Sequence, residues 1–162
     1  MGLLGINSVL YRNTGSHGSP SWSPVTVIAD LSANATWDKA DANSRASRIK
    51  KSLKTMLGLT FTGNLKVKPG DANYEAFIDA VNSDDILDLL ILNGSKDTEG
   101  SRGYRIDAQV SEGTEDQAMA NALYLAITID PTDSDNEPQA VYVGAGPTIQ
   151  YSTPGVNGGD FA

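Results

Sequence analysis

Between Leu57 and Val67 the chain alternates in character: Leu57, Leu59, Phe61, Leu65 and Val67 fall on one parity, and Thr60, Thr62, Asn64 and Lys66 on the other. Successive side chains of an extended chain point to opposite faces, so this pattern demands a strand with one buried and one wet face. Gly63 takes an apolar slot in the alternation and predicts a bulge or bend. The same two-residue period recurs at Val25–Leu31, Gly103–Val110 and Ala122–Ile129. Ile86–Leu92 is short and almost continuously apolar, which predicts a well-buried strand. Shorter strands are expected at residues 5–11 and at Val141–Val143.

One segment has a different period. Tyr74, Phe77, Ile78 and Val81 stand at i, i+3, i+4 and i+7, behind Lys68-Pro69-Gly70-Asp71, where Asp71 can cap a helix. Asn82-Ser83-Asp84 ends it. Several half-buried strands and one short helix predict a mainly β fold, a β-sandwich or barrel with one flanking α-helix. The expected organisation is a single β-rich domain over residues 1–143, with an extended basic arm at 32–56, and a Gly-rich tail over 144–162.

At 162 residues, 40% hydrophobic and 20% charged, the chain is long enough for one domain with a modest core. It has no cysteine, which excludes disulfides and thiolate metal sites. No apolar run reaches bilayer length, and the first residues lack the basic region of a signal peptide, so cytoplasmic synthesis and assembly without a membrane are expected.

The net charge of −8 speaks against nucleic-acid binding as the main task. Its distribution is uneven. Only three of the twenty acids (Asp30, Asp38 and Asp41) precede residue 69, which leaves seventeen beyond it. Lys39, Arg45, Arg48, Lys50, Lys51 and Lys54 crowd into one segment, opposed within it only by Asp41. A basic arm and an acidic body on one chain attract each other between copies. Residues 32–55 show no helical stripe, and a connection of that length is usually functional or disordered, so they read as an arm that orders on assembly. Trp37 within it reads as an anchor on a neighbouring subunit, a commoner use of tryptophan than stacking on a base.

Catalytic patterns are weak. His17 lies in a Gly/Ser/Pro loop with no His or Cys at ligand spacing, which points to an exposed loop histidine rather than a zinc ligand. Gly144-Ala145-Gly146-Pro147 lacks the lysine and hydroxyl of a phosphate loop. Asp130, Asp133, Asp135 and Glu137 could offer oxygens to calcium, but without the central glycine and distal glutamate of a calcium loop they read as a solvated acidic turn. Asp84-Asp85 reads as a helix terminus, not a catalytic pair. No catalytic residue, metal or cofactor is expected.

The stretch Asn34-Ala35-Thr36-Trp37-Asp38-Lys39-Ala40-Asp41-Ala42-Asn43-Ser44-Arg45 resembles the long loop of major tail tube proteins of siphovirus-type bacteriophages. In that family a strand leads into a polar arm, then a strand with Leu and Phe alternation, then a short helix; Leu57–Val67 and Tyr74–Val81 would supply the last two. The resemblance runs over about residues 5–130. It implies a β-sandwich or barrel with a flanking helix, six subunits joined into a ring, and rings stacked into a tail tube. The implied partners are other copies of the chain, a tape measure protein, tail tip and terminator proteins, and double-stranded DNA passing through without specific binding. The implied location is the virion tail, with assembly in the host cytoplasm. Trp37, Lys39, Arg45, Arg48, Lys50, Lys51 and Lys54 would then form the contact between subunits or rings. The alternatives are a β-sandwich module that binds carbohydrate or a host surface, a small hydrolase, or another tail component such as a tail terminator.

Overall fold

The computed structural model describes residues 9–116 and 123–152. Nine strands and one helix follow in the order β1 (Val9–Asn13), β2 (Trp22–Pro24), β3 (Ile28–Asp41), β4 (Ser52–Lys66), α1 (Ala72–Val81), β5 (Leu87–Leu92), β6 (Arg102–Asp116), β7 (Tyr124–Pro131), β8 (Gln139–Gly144) and β9 (Thr148–Ser152). The expected mainly β class with one short helix is what the chain adopts. No helix among the described residues is long and apolar enough to cross a membrane.

The nine strands form one curled sheet whose two layers share the long strand β6. Its first half pairs with β5 on one side and β8 on the other, giving the order β2-β1-β5-β6-β8-β9 in one layer. Its second half pairs with β7, giving β6-β7-β4-β3 in the other. A register shift between Val110 and Glu112 bends β6 where it passes from one layer to the other. The apolar parity of β4 and β7, with Leu59, Phe61, Leu65, Leu125, Ile127 and Ile129, faces Leu10, Leu89, Ile91, Ile106 and Ala108 of the first layer. Phe77 and Ala80 of α1 close this core. Strand β5 is buried on both faces, as its unbroken apolar run requires. Leu89 and Ile91 enter the main core, while Leu90 and Leu92 join Tyr11, Val141 and Val143 in a second cluster.

The helix forms for the reasons its sequence gives. Asp71 accepts hydrogen bonds from the backbone N–H groups of Asn73 and Tyr74. The buried Asn73 accepts from Arg12 Nε at 2.9 Å and donates to the Pro24 carbonyl at 3.2 Å, which ties the helix to β1 and β2.

The structure corrects several expectations. Residues 32–56, read as an extended arm that orders on assembly, already form the outer parts of two paired strands and the turn between them. The first strand, β1, runs on to Asn13 rather than ending at residue 11, and residues 5–8 of the expected range lie outside the described residues. Past the expected strand Gly103–Val110, Ser111–Asp116 continues β6 along β7. The expected Gly-rich tail begins with a strand, since β9 pairs with β8 from Ala140↔Ser152 to Gly144↔Thr148; residues 153–162 lie outside the described residues. Within Val25–Leu31 the strand starts only at Ile28, after a turn at Thr26 and Val27, and is distorted soon after: Asp30 takes a positive φ of 53° and the register shifts between Ala29 and Ser32. Gly63 makes room for that distortion: a Cβ there would lie 3.0 Å from Ile28 Cδ1.

Truncating the fully buried Phe61 to Ala is expected to lower unfolding stability by about 3–5 kcal/mol, and removing the helix cap with Asp71→Ala by only about 1 kcal/mol. Urea denaturation of the two variants checks the ranking.

Candidate functional site

The β3–β4 hairpin is anchored at one end and solvated at the other. Near its base, Ala33↔Phe61 and Ala35↔Leu59 pair with one side on the core. Beyond Trp37↔Leu57, every β3 and β4 residue is exposed, on both faces of the ribbon. There β4 carries one extra residue, because Trp37 pairs with Leu57 but Lys39 pairs with Lys54. This bulge brings Lys54 to the side of Trp37, and its Nζ lies 5.4 Å from the indole centroid. Lys39 and Lys54 stand directly opposite each other, an arrangement that weakens a strand pair in isolation.

The turn over residues 42–51 is built from short polar side chains. Asp41 Oδ1 accepts from Asn43 N–H, Asn43 Oδ1 accepts from Lys51 N–H, and Ser47 Oγ accepts from Ile49 N–H. The Lys51 carbonyl accepts from Ala42 N–H at 3.0 Å. This scaffold projects Arg45, Arg48, Lys50 and Lys51, all exposed. Neither ion pair among the described residues, Lys96–Asp97 or Arg105–Asp88, uses any of the hairpin cations. Large apolar side chains are exposed beside them: Ile49 at 72%, Leu53 at 63% and Met56 at 70%. The structure therefore gathers all seven sequence-predicted residues onto one element, with Trp37, Lys39 and Lys54 on its shaft and the four others at its tip.

The hairpin was legible in part. Ala33, Ala35 and Trp37 continue the parity of Leu31, but alanine is too weak an apolar marker to outweigh the surrounding polar residues. The exposed apolar trio of the outer hairpin, Ile49, Leu53 and Met56, has no periodic signature and emerges only from the fold.

The second face of the β6-β7-β4-β3 sheet is polar. Thr62, Thr128 and Glu112 lie in register across three strands, as do Asn64, Ala126 and Thr114. With Asp30 they line a shallow depression. Asp130 on the same face accepts from Thr60 Oγ1 at 3.2 Å and from Ser111 Oγ at 2.5 Å. Among the described residues two unpaired edges flank these strands: β3 has β4 on one side only, and no strand pairs with β6 beyond Ala108 on the side away from β7.

A separate polar network sits at the end of the second cluster. Arg105 donates through Nε and Nη2 to both oxygens of Asp88, at 3.1 and 2.7 Å, and through Nη2 to the His17 carbonyl at 2.9 Å. Its guanidinium lies 5.0 Å from the ring centre of Trp22 on β2 and 5.4 Å from that of Tyr151 on β9. Burial opposes the charge of Arg105, but the hydrogen bond and Coulomb attraction from Asp88, helped by Tyr151 and Asp107, outweigh it and raise its pKa. His17, expected to stand apart, has a ring nitrogen within 4.8 Å of carboxylate oxygens of Asp88 and Asp107. Those carboxylates are already engaged by Arg105 and Asn13, and by Ser134 and Asn136. A guanidinium among them disfavours a metal cation, and the network reads as a structural clasp. The acids of residues 130–137 do not converge into a cluster of metal-ligand geometry among the described residues.

No protein-family model matches the chain. No curated protein matches it either. Solved structures do. A chain of the SPP1 tail tube aligns with TM-score 0.65 and 10% identity, covering 80% of this chain and 75% of that chain. A chain in the virion of the native gene transfer agent particle aligns with TM-score 0.62 and 7% identity over 82% of this chain and 96% of that one. A chain of the PVC sheath–tube complex of an extracellular contractile injection system gives TM-score 0.56 and 11% identity over 82% and 88%. The fold is the one these tail and tube assemblies contain.

Replacing Asp88 with Ala leaves the buried Arg105 charge without its carboxylate and is expected to lower stability by about 3–5 kcal/mol. Trp37→Ala, at a half-exposed contact, is expected to change it by no more than about 1 kcal/mol. Urea midpoints of the two variants test the assignment of Asp88 to folding and of Trp37 to the surface.

Proposed function

We propose that this chain is a structural subunit that joins with copies of itself into rings, six to a ring, which stack into the tail tube of a bacteriophage. The observation that carries the reading is the β3–β4 hairpin: a long ribbon solvated on both faces, cationic, with Ile49, Leu53 and Met56 exposed along its outer part. A two-stranded ribbon is marginal in water without a packed face. A second protein surface supplies that face, and an acidic one matches its charge. The likeness of fold to tail tubes of several kinds supports the same conclusion.

The ring follows from the two unpaired sheet edges. Joining β3 of one copy to the outer half of β6 in the next removes both edges and makes the polar faces continuous. The core then lies outside and the Thr, Asn and carboxylate face, with Asp30, Glu112 and Asp130, lines the channel. Such a wall repels phosphates, so double-stranded DNA passes during ejection without being held. A tape measure protein would occupy the channel first, and tip and terminator proteins would end the stack. Assembly takes place in the host cytoplasm and the product resides in the virion tail.

The role is structural rather than catalytic. A carbohydrate- or host-binding module would present free aromatics, whereas here Trp22 and Tyr151 flank Arg105 and Trp37 lies beneath Lys54.

At high concentration the purified protein is expected to form tubes or stacked rings under negative-stain electron microscopy. Reversing Arg45, Arg48, Lys50 and Lys51 together to Glu is expected to abolish stacking while circular dichroism and Tm stay unchanged, because exposed charges contribute little to folding. Tubes formed by the reversed variant at ordinary salt would remove the hairpin from the account.

A further inference from the structure

The surface that receives the hairpin tip can be sought on the same chain. From Asp71 to Asp88 the sequence has six acids and no Lys or Arg. Three of them have internal duties, Asp71 as the helix cap, Glu75 as acceptor for the Gly70 N–H, and Asp88 on Arg105. Asp79, Asp84 and Asp85 remain exposed around the end of α1 and the turn into β5. Asp79 stands in the last helical turn, where the helix dipole disfavours an acid and no base offsets it. Among them Ile86 is 48% exposed. The surface therefore repeats the character of the hairpin tip with the charge reversed: acids around an uncovered aliphatic side chain.

Other acidic stretches fit less well. Asp97 is paired with Lys96. Asp133, Asp135 and Glu137 alternate with polar residues and proline, with no exposed aliphatic among them. Position also favours the α1–β5 turn. Gln109 Nε2 donates to the Asp84 carbonyl at 2.8 Å, which pins the turn beside β6 where its outer side stops pairing. That is the edge to which β3 of a neighbour would join, and β3 runs directly into the hairpin.

We propose that the tip of the β3–β4 hairpin docks on the α1–β5 turn of a second copy, with Arg48, Lys50 and Lys51 against Asp79, Asp84 and Asp85, and Leu53 against Ile86. This assignment rests on the tube reading and names the receiving surface within it.

The native chain has no cysteine, so engineered thiols report contacts without background. Leu53→Cys protein is mixed with Ile86→Cys protein, or with Asp85→Cys should the first fail to assemble. Glu99→Cys and Asp135→Cys serve as competing acidic positions. After assembly and mild oxidation, a disulfide-linked dimer is expected from the Ile86 or Asp85 mixture and not from the other two. In a second arm, tubes lost with Arg48→Glu/Lys51→Glu are expected to return with Asp84→Lys/Asp85→Lys. Tubes that form normally yet cross-link only through Glu99 or Asp135, or at neither turn position, overturn the docking site and leave the tube reading standing. A wild-type chain that stays monomeric at high concentration overturns both.

Discussion

Backbone groups at the edge of a sheet need partners, and this fold is organised by where that need is met and where it is left open. Strand β6 meets it twice, serving one layer of the curled sheet with its first half and the other with its last. Bending at Val110/Glu112 lets one strand bind both layers around the main core. The same bend carries the second half of β6 away from β5, and among the described residues leaves one of its sides without a strand. At the far end of that layer β3 is open as well. A closed main core and two edges open among the described residues are consequences of a single strand path.

The other two terminal strands, β2 and β9, are treated differently. Arg105 lies between Trp22 and Tyr151, one from each, and holds Asp88 and the His17 carbonyl beneath. A buried cation with a bidentate carboxylate and two aromatic faces joins strands that do not pair with each other. The β3 and β6 edges have no such clasp among the described residues.

Strands buried on one face wrote themselves into the sequence, because alternation leaves a two-residue period; β4 and β7 are the clear cases. The α1 helix was legible from its spacing and the Asp71 cap. The hairpin beyond Trp37 was not, since neither face is buried and no period is imposed on its residues. Strand β2 was hidden within a Gly/Ser/Pro loop, where Trp22 packs with a cluster assembled from distant strands. The cationic segment was visible as charge from the start, but its apolar tip and its β geometry depend on which residues the core leaves uncovered. His17 was read as isolated because its neighbours, Asp88 and Asp107, are remote in sequence and meet only through β5 and β6.

The central claim is that the open edges and the hairpin complete themselves on other copies of the chain. Amide hydrogen exchange, compared between dilute monomer and concentrated assembly, tests it most directly. The account predicts fast exchange in the monomer for the β3 amides that face away from β4 and for the hairpin beyond Trp37, with strong protection of both in the assembly. Protection of these amides already present in the monomer, or unchanged exchange once the protein has assembled, would contradict it.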